Sequence, residues 1–290
     1  MEQKLKVFLA VAEHLNFSRA AESLFITQPA VSQYVKSLEQ EMNVKLIDRT
    51  NKSLQLTRAG SIVAYYANEM LALEMNMRQA VEDLTSEVKG ELAIGASYTF
   101  GEYILPQILA GFLEVYPGVE PAITIGNTHD IAEKVLQGEF DLGIVEGSIT
   151  SPKLLKEKIA DDRMYIIQSS RLSEKQAFDT EWAMKETWVT REKGSGTREA
   201  FDLFLTQYEI HPNRILEFGS TQIIKEAVEA GLGIALLSEW AIKKELELGR
   251  LQLVEQEKMF FERHFHAIVA DRPFTTKVTT TFIKFMHSYF

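Results

Sequence analysis

Gln28, Ser32, Gln33 and Lys36 recur at the spacing of one helix face, just after the proline at position 29. Amide and hydroxyl side chains can pair with the edges of nucleic-acid bases, while a lysine and free backbone N–H groups suit phosphate oxygens. Pro29 belongs in a first helical turn, where its missing N–H costs nothing, and it fixes where the helix starts. The same row would also serve as a solvated face in a helical bundle, so its surroundings must decide.

A second set of polar groups sits where strand-like runs end. "ASYT" brings Ser97, Tyr98 and Thr99, "VEGS" brings Glu146 and Gly147, and "GSTQ" brings Thr221. "KGSGTR" is the sharpest of these stretches. Ser195, Gly196 and Thr197 can wrap an anion at a helix start, and Arg198 adds charge. A glycine turn with a threonine cap explains the same residues, and the lysine-Ser/Thr ending of a nucleotide-binding loop is absent. No Ser/His/Asp set, carboxylate pair or metal-ligand cluster has sensible spacing, so catalysis and a cofactor are not expected. His264 and His266 share a strand face without a third ligand nearby, which predicts a strand rather than a metal site.

The elements that must position these groups are legible around them. Leu5, Phe8, Leu9, Ala12 and Leu15 predict an amphipathic first helix. Ser18 is expected to cap a short second helix, "RAAESLF", and Thr27 to cap the helix carrying Gln28–Lys36. Val31, Val35, Leu38 and Met42 form the expected buried stripe of that helix. Two short helices joined tightly, the second exposing polar side chains at its start, describe a helix-turn-helix. "VKLIDRTNKSLQLT" then alternates about a turn and predicts a two-stranded wing with Arg49 and Lys52 at its tip.

Charge follows the same division. The chain of 290 residues carries −10 overall, yet residues 1–58 hold eight basic against six acidic groups, which leaves −12 on the rest. A small basic module joined to an acidic body suits a nucleic-acid binder. Zero cysteines exclude disulfides and fit a reducing cytoplasm, and no run is long enough to span a membrane or shaped like a signal peptide.

From Arg58 to about Glu87 the only glycine is Gly60, and Ile62, Tyr66, Met70, Leu73, Met77, Val81 and Leu84 recur at intervals of three and four. One narrow apolar seam on a long helix usually pairs with a second copy of itself. From "ELAIGAS" onward, strands, with "RMYIIQS" (Arg163–Ser169) among them, alternate with helices, which predicts an α/β fold with doubly wound sheets. The terminal "FIKFMHSYF" reads as an amphipathic helix packed on that body.

The stretch from "FLAVAEHLNFSRAAESL" through "QPAVSQYVKSLE" and "KLIDR" to "LTRAG" resembles the winged helix-turn-helix of the LysR-type transcriptional regulators over about sixty residues. Asn43 and Ile47 stand where that family usually has Gly and Phe, and both are compatible with the fold. The resemblance places base-reading and backbone contacts on Gln28, Pro29, Ser32, Gln33 and Lys36, with Arg49 and Lys52 in the wing. It implies a DNA-binding domain over 1–58, a linker and dimerisation helix over 59–89, and an effector domain over 90–290. That domain would be two-lobed, like type 2 periplasmic binding proteins, with lobe I at 91–165 and 267–290 and lobe II at 166–266. The implied partners are double-stranded operator DNA, a small anionic effector held by Ser97, Tyr98, Thr99, Glu146, Gly147, Ser195, Gly196, Thr197, Arg198 and Thr221, further copies of the chain in a dimer or tetramer, and RNA polymerase. "GSGTR" is similar to a loop in the sulfur-assimilation branch of the family. The competing expectation is a solute-binding protein with an N-terminal interaction module. On the first reading Glu146 pairs with Arg198 or Lys193 across the cleft.

Overall fold

The computed structural model describes residues 1–48, 54–82, 87–171, 177–254 and 260–290. They form two compact units, one of Met1–Val81 with Gln137–Glu139 and one of Glu82–Leu136 with Phe140–Phe290.

The first unit comprises α1 (Glu2–His14), α2 (Phe17–Ser23), α3 (Gln28–Met42), the hairpin β1 (Ile47–Asp48) and β2 (Gln55–Leu56), and α4 (Arg58–Glu82). Helix α1 buries Leu5, Val7, Phe8 and Val11, whereas Leu15 ends it in a left-handed conformation and is half exposed. The cap of α2 is Asn16, not Ser18: its side-chain oxygen accepts from the amides of Ser18 (2.9 Å) and Arg19 (3.1 Å). Asparagine reaches two first-turn amides, so the helix starts one residue before the expected cap. Thr27 does precede α3, but its side chain makes no capping bond.

Met42 was expected in the core and is exposed instead. Its inner place goes to Glu39, which accepts from the amides of Leu46 (2.9 Å) and Ile47 (3.3 Å) and pairs with Lys45 (2.9 Å). Burial, the largest influence on this carboxyl, raises its pKa, but Lys45 and the two amides outweigh burial and hold it below the ordinary value. Glu39 thereby ties the end of α3 to the start of the wing. Within that wing Ile47 faces Leu56 and Asp48 faces Gln55 in an antiparallel pair. Arg49 and Lys52 lie outside the described residues, as does Leu84 of the seam.

Close approach explains Gly60: a Cβ there would stand 2.0 Å from the Leu46 carbonyl oxygen. Gly60→Ala should therefore push α4 off the wing and cost about 1–3 kcal/mol, the usual range for an overpacked core. Thermal unfolding of the variant measures the loss, and an unchanged midpoint would mean that the contact yields freely.

The second unit contains β3 (Gly90–Ser97), α5 (Tyr98–Tyr103), α6 (Leu105–Val115), β4 (Val119–Gly126), α7 (Thr128–Gln137), β5 (Leu142–Glu146), β6 (Leu154–Ser169), α8 (Thr180–Lys185), β7 (Thr187–Arg191), α9 (Gly196–Gln207), β8 (Arg214–Phe218), α10 (Thr221–Glu229), β9 (Ala235–Ser238), α11 (Glu239–Glu247), β10 (Leu251–Leu253), β11 (Phe261–Ala270) and α12 (Lys277–Tyr289). Strands β4, β3 and β5 run parallel, and β11 and β6 continue the sheet antiparallel. Strands β7 and β8 form a separate parallel pair, bridged to Ile234 just before β9.

Two long strands connect the halves of this unit. The stretch expected at Arg163–Ser169 begins nine residues earlier, giving a β6 of 16 residues. It pairs with β11 from Leu154 to Met164, then with β9 and β10. One core gathers Phe100, Phe112, Phe265 and Phe282 beside α5, α6 and α12, as the amphipathic C-terminal run predicts. Another gathers Trp188, Phe201 and Phe204 around β7 and α9. The starts of α5, α7, α9 and α10 follow the ends of β3, β4, β7 and β8, so the polar residues of those junctions gather at helix N-termini.

Candidate functional site

On the first unit, Gln28, Pro29, Gln33 and Lys36 are exposed and Ser32 is half-buried, all at one end of α3. Gln28 Nε2 donates to Ser32 Oγ at 3.0 Å, which holds the first two members of the row together. Because the Thr27 side chain leaves the first turn uncapped, its amides remain available to an anion such as phosphate. The opposite face of α3 is fixed by Val31, Val35 and Leu38, all fully buried against α1 and α2. A rigid polar row beside open amides is what base edges flanked by phosphates require.

On the second unit, an arginine that sequence reading did not single out organises the site. Arg263 of β11 is buried and distributes its guanidinium over four partners. Nε donates to Asp162 Oδ2 (2.6 Å), Nη1 to Glu146 Oε1 (3.3 Å) and Thr197 Oγ1 (3.1 Å), and Nη2 to Thr99 Oγ1 (3.1 Å). Asp162 is steadied in turn by the Ser238 hydroxyl at 2.6 Å. Burial is the largest influence and lowers the Arg263 pKa, but Asp162 and Glu146 more than offset it and raise the value above ordinary, so the side chain stays charged. Thr99, Glu146 and Thr197, from three separate strand ends, thus meet at one cation.

Tyr98 and Thr221 gather around another buried arginine. The Arg191 guanidinium carbon stands 4.2 Å over the Tyr98 ring, Nη1 lies 3.5 Å from Thr221 Oγ1, and both Nε and Nη2 donate to Glu192 at 2.7 Å. Backbone contact joins the halves beside Glu146, where a Cβ on Gly196 would stand 2.3 Å from the Glu146 carbonyl oxygen. Thr128 Oγ1 donates to that same oxygen at 2.7 Å. Gly147 follows, and Ser148 N donates to Glu199 Oε2 of α9 at 2.8 Å.

Arg198 departs from expectation. It pairs with Asp202 (3.0 Å) and Glu217 (2.8 Å) and donates to the Arg191 carbonyl (3.2 Å). Neither it nor Lys193 pairs with Glu146; Arg263 has that role. Asp202 is one helical turn from Arg198, so the local pair forms without bridging the halves. Ser195 caps α9, its Oγ accepting from Thr197 N at 3.2 Å. Ser195 and Arg198 line an open cavity of about 660 Å³ between α7 and α9, together with Thr128, His129, Ser148, Lys193 and the apolar Ala132, Leu136, Ile149, Leu154 and Leu203. That volume suits a small molecule. Ser97, Tyr98, Thr99, Glu146, Thr197 and Thr221 do not line it.

The two histidines lie on β11. His264 pairs with Asp161 at 2.7 Å, while burial, followed by Lys156 and His264, lowers His266 to about 4 and keeps it neutral. Among the described residues no group of three candidate ligands could hold a metal ion, and no helix is long and apolar enough to cross a membrane.

Residues 3–61 match the family described as bacterial regulatory helix-turn-helix protein, lysR family, and residues 85–290 match the LysR substrate binding domain. The chain is 35% identical over 286 residues to the HTH-type transcriptional regulator CysL of Bacillus subtilis (strain 168), covering 98% of this chain and 96% of that protein. Among solved structures it is similar to full-length CbnR complexed with target DNA, with a TM-score of 0.75, 20% identity and 99% of each chain covered. It is also similar to the regulatory domain of Synechocystis PCC6803 CcmR in complex with 2-PG, with a TM-score of 0.63, 25% identity, and 69% of this chain and 97% of that one covered.

Proposed function

The chain belongs to the LysR family of DNA-binding transcriptional regulators, which are not enzymes, and from that premise we propose how its own residues divide the work. Gln33 and Ser32 read base edges in a major groove, while Lys36 and the open first turn of α3 hold phosphates. The observation that carries this reading is the exposed polar row of α3 at an uncapped helix start. A solute-binding protein with an N-terminal extension would not need that surface.

The effector is a small molecule bound between the halves of the α/β unit, beside the point where Thr99, Glu146 and Thr197 converge; the α7–α9 cavity, lined by other residues, adjoins that point through Thr128, whose hydroxyl donates to the Glu146 carbonyl. The complex of CcmR with 2-PG supports such a site. An anionic part of the effector finds Lys193, which makes no ion pair among the described residues, and the first amides of α9. Arg198, already committed to Asp202 and Glu217, adds no free charge. The seam of α4 joins two chains, further contacts give a tetramer, and the assembly acts in the cytoplasm as an activator that engages RNA polymerase. The likeness to CysL supports a place in sulfur metabolism.

The test of the DNA half is Gln33→Ala. Loss of one base-edge pairing should cost about 1–3 kcal/mol on the cognate operator and little on random DNA. Fluorescence anisotropy on both duplexes at fixed salt separates the outcomes. Equal losses on the two would assign Gln33 to the backbone and defeat the base-reading role.

A further inference from the structure

The buried charges around Arg263 do not cancel. One guanidinium stands between two carboxylates, Asp162 and Glu146, and all three side chains are at most 5% exposed. Only one carboxylate oxygen of Glu146 is bonded to the arginine. The other, Oε2, is buried with no hydrogen-bond partner, and so is Ser97 Oγ. Ser97 ends β3, two residues before Thr99, at the same end of the sheet as Glu146. Lys156 approaches from the exposed side but reaches only the Gly147 carbonyl, at 3.4 Å. A carboxylate oxygen that has given up water without gaining a donor is costly, and the cost is largest for an uncompensated charge.

Resting on the reading that the effector binds between the halves, we infer that it carries a cationic hydrogen-bond donor, an ammonium group, which seats on Glu146 Oε2. Such a group brings three donors and one positive charge, so it supplies the missing bond and neutralises the cluster. Ser97 Oγ offers a second acceptor at the same end of the sheet. A bare oxyanion fits this place badly. It would add negative charge to a cluster already one charge in excess, and four of the five N–H donors of Arg263 are already given to Asp162, Glu146, Thr197 and Thr99. Glu146 is therefore the residue that selects the ligand by charge, and Arg263 positions it.

The test uses the full chain and four probes at matched ionic strength: glycine and ethanolamine, which carry the ammonium group, and acetate and sulfate, which do not. Calorimetric titration should show binding of the amine probes in preference to acetate and sulfate. Glu146→Gln keeps the shape of the side chain and removes its charge. It should weaken amine binding by about tenfold or more, the usual worth of a charged hydrogen bond. Thermal unfolding of the ligand-free variant checks the fold, and it should be at least as stable as the parent because the surplus charge is gone. Amine binding that survives Glu146→Gln unchanged overturns the inference. Acetate or sulfate binding more tightly than the amines, and lost in Thr197→Val, also overturns it while leaving the cleft as the effector site. Silence with all four probes overturns it too, and leaves the DNA-reading assignment, tested through Gln33, untouched.

Discussion

Arg263→Met is expected to cost the α/β unit about 3–5 kcal/mol, because it strands two buried carboxylates that shared one guanidinium. Asp162 loses a 2.6 Å bond and Glu146 a 3.3 Å bond, and both residues are buried. Thr99 and Thr197 lose their common partner at the same time, so the two halves are no longer tied through these hydroxyls. All three tryptophans, Trp182, Trp188 and Trp240, lie in this unit, so their fluorescence in a urea titration reports its unfolding alone. If charge rather than packing is the cause, adding Glu146→Gln and Asp162→Asn to Arg263→Met should recover a large part of the loss, since partners in one network do not act additively. A triple variant as unstable as Arg263→Met would show that the arginine acts through its shape. A single variant within 0.5 kcal/mol of the parent, the range of ordinary surface changes, would remove Arg263 from its central place.

What could be read from the sequence and what could not differ in range. The helix-turn-helix rests on spacings of three and four within a few dozen residues, so Val31, Val35 and Leu38 were placed correctly and the polar row with them. The alternation of strands and helices was legible for the same reason. Glu39 was missed because an acidic residue on an amphipathic helix reads as solvated. Its burial depends on amides seven and eight residues away, on the other side of a turn. The early start of β6 was missed because "LLKEKIADD" carries five charged residues, and Leu155 to Lys158 are exposed in succession, so no alternation marks that part of the strand. Arg263 was the most distant case. Its partners lie 66 to 164 residues away, and a lone arginine in "FERHFHAIVA" carries no periodicity of its own. For Arg198 the signal was present: Asp202 stands four residues on, and that spacing favours a local pair over one across the cleft.

The largest effect on function is expected from Leu73→Lys, at a residue that touches neither DNA nor effector in the proposed scheme. Along α4, Ile62, Tyr66, Met70, Leu73, Met77 and Val81 are between 53% and 64% exposed, although the other side of the helix packs Val63, Ala64, Ala67 and Leu71 into the core of its unit. A helix needs one buried stripe to hold it in place, and this one has that stripe and a second apolar row left in water. Six large apolar side chains recurring over five turns form a continuous patch, which isolated exposed residues do not. A second α4 covers such a row with matching chemistry, as paired seams do. A lysine at its centre would have to leave its charge in an apolar contact, so the chain should remain a monomer or assemble wrongly. Because Leu73 is exposed in the single chain, thermal unfolding of each unit should change by no more than about 0.5 kcal/mol. Operator affinity should nevertheless fall about 100-fold or more, since two reading heads joined in one assembly act at high effective concentration and a lone head does not. Leu73→Ala, which shortens the side chain without charging it, should give an intermediate loss. Sedimentation velocity and operator titration on the three proteins decide the matter. If Leu73→Lys sediments as the parent does and binds operator normally, the seam is not the contact between chains, and its exposed apolar row needs another partner.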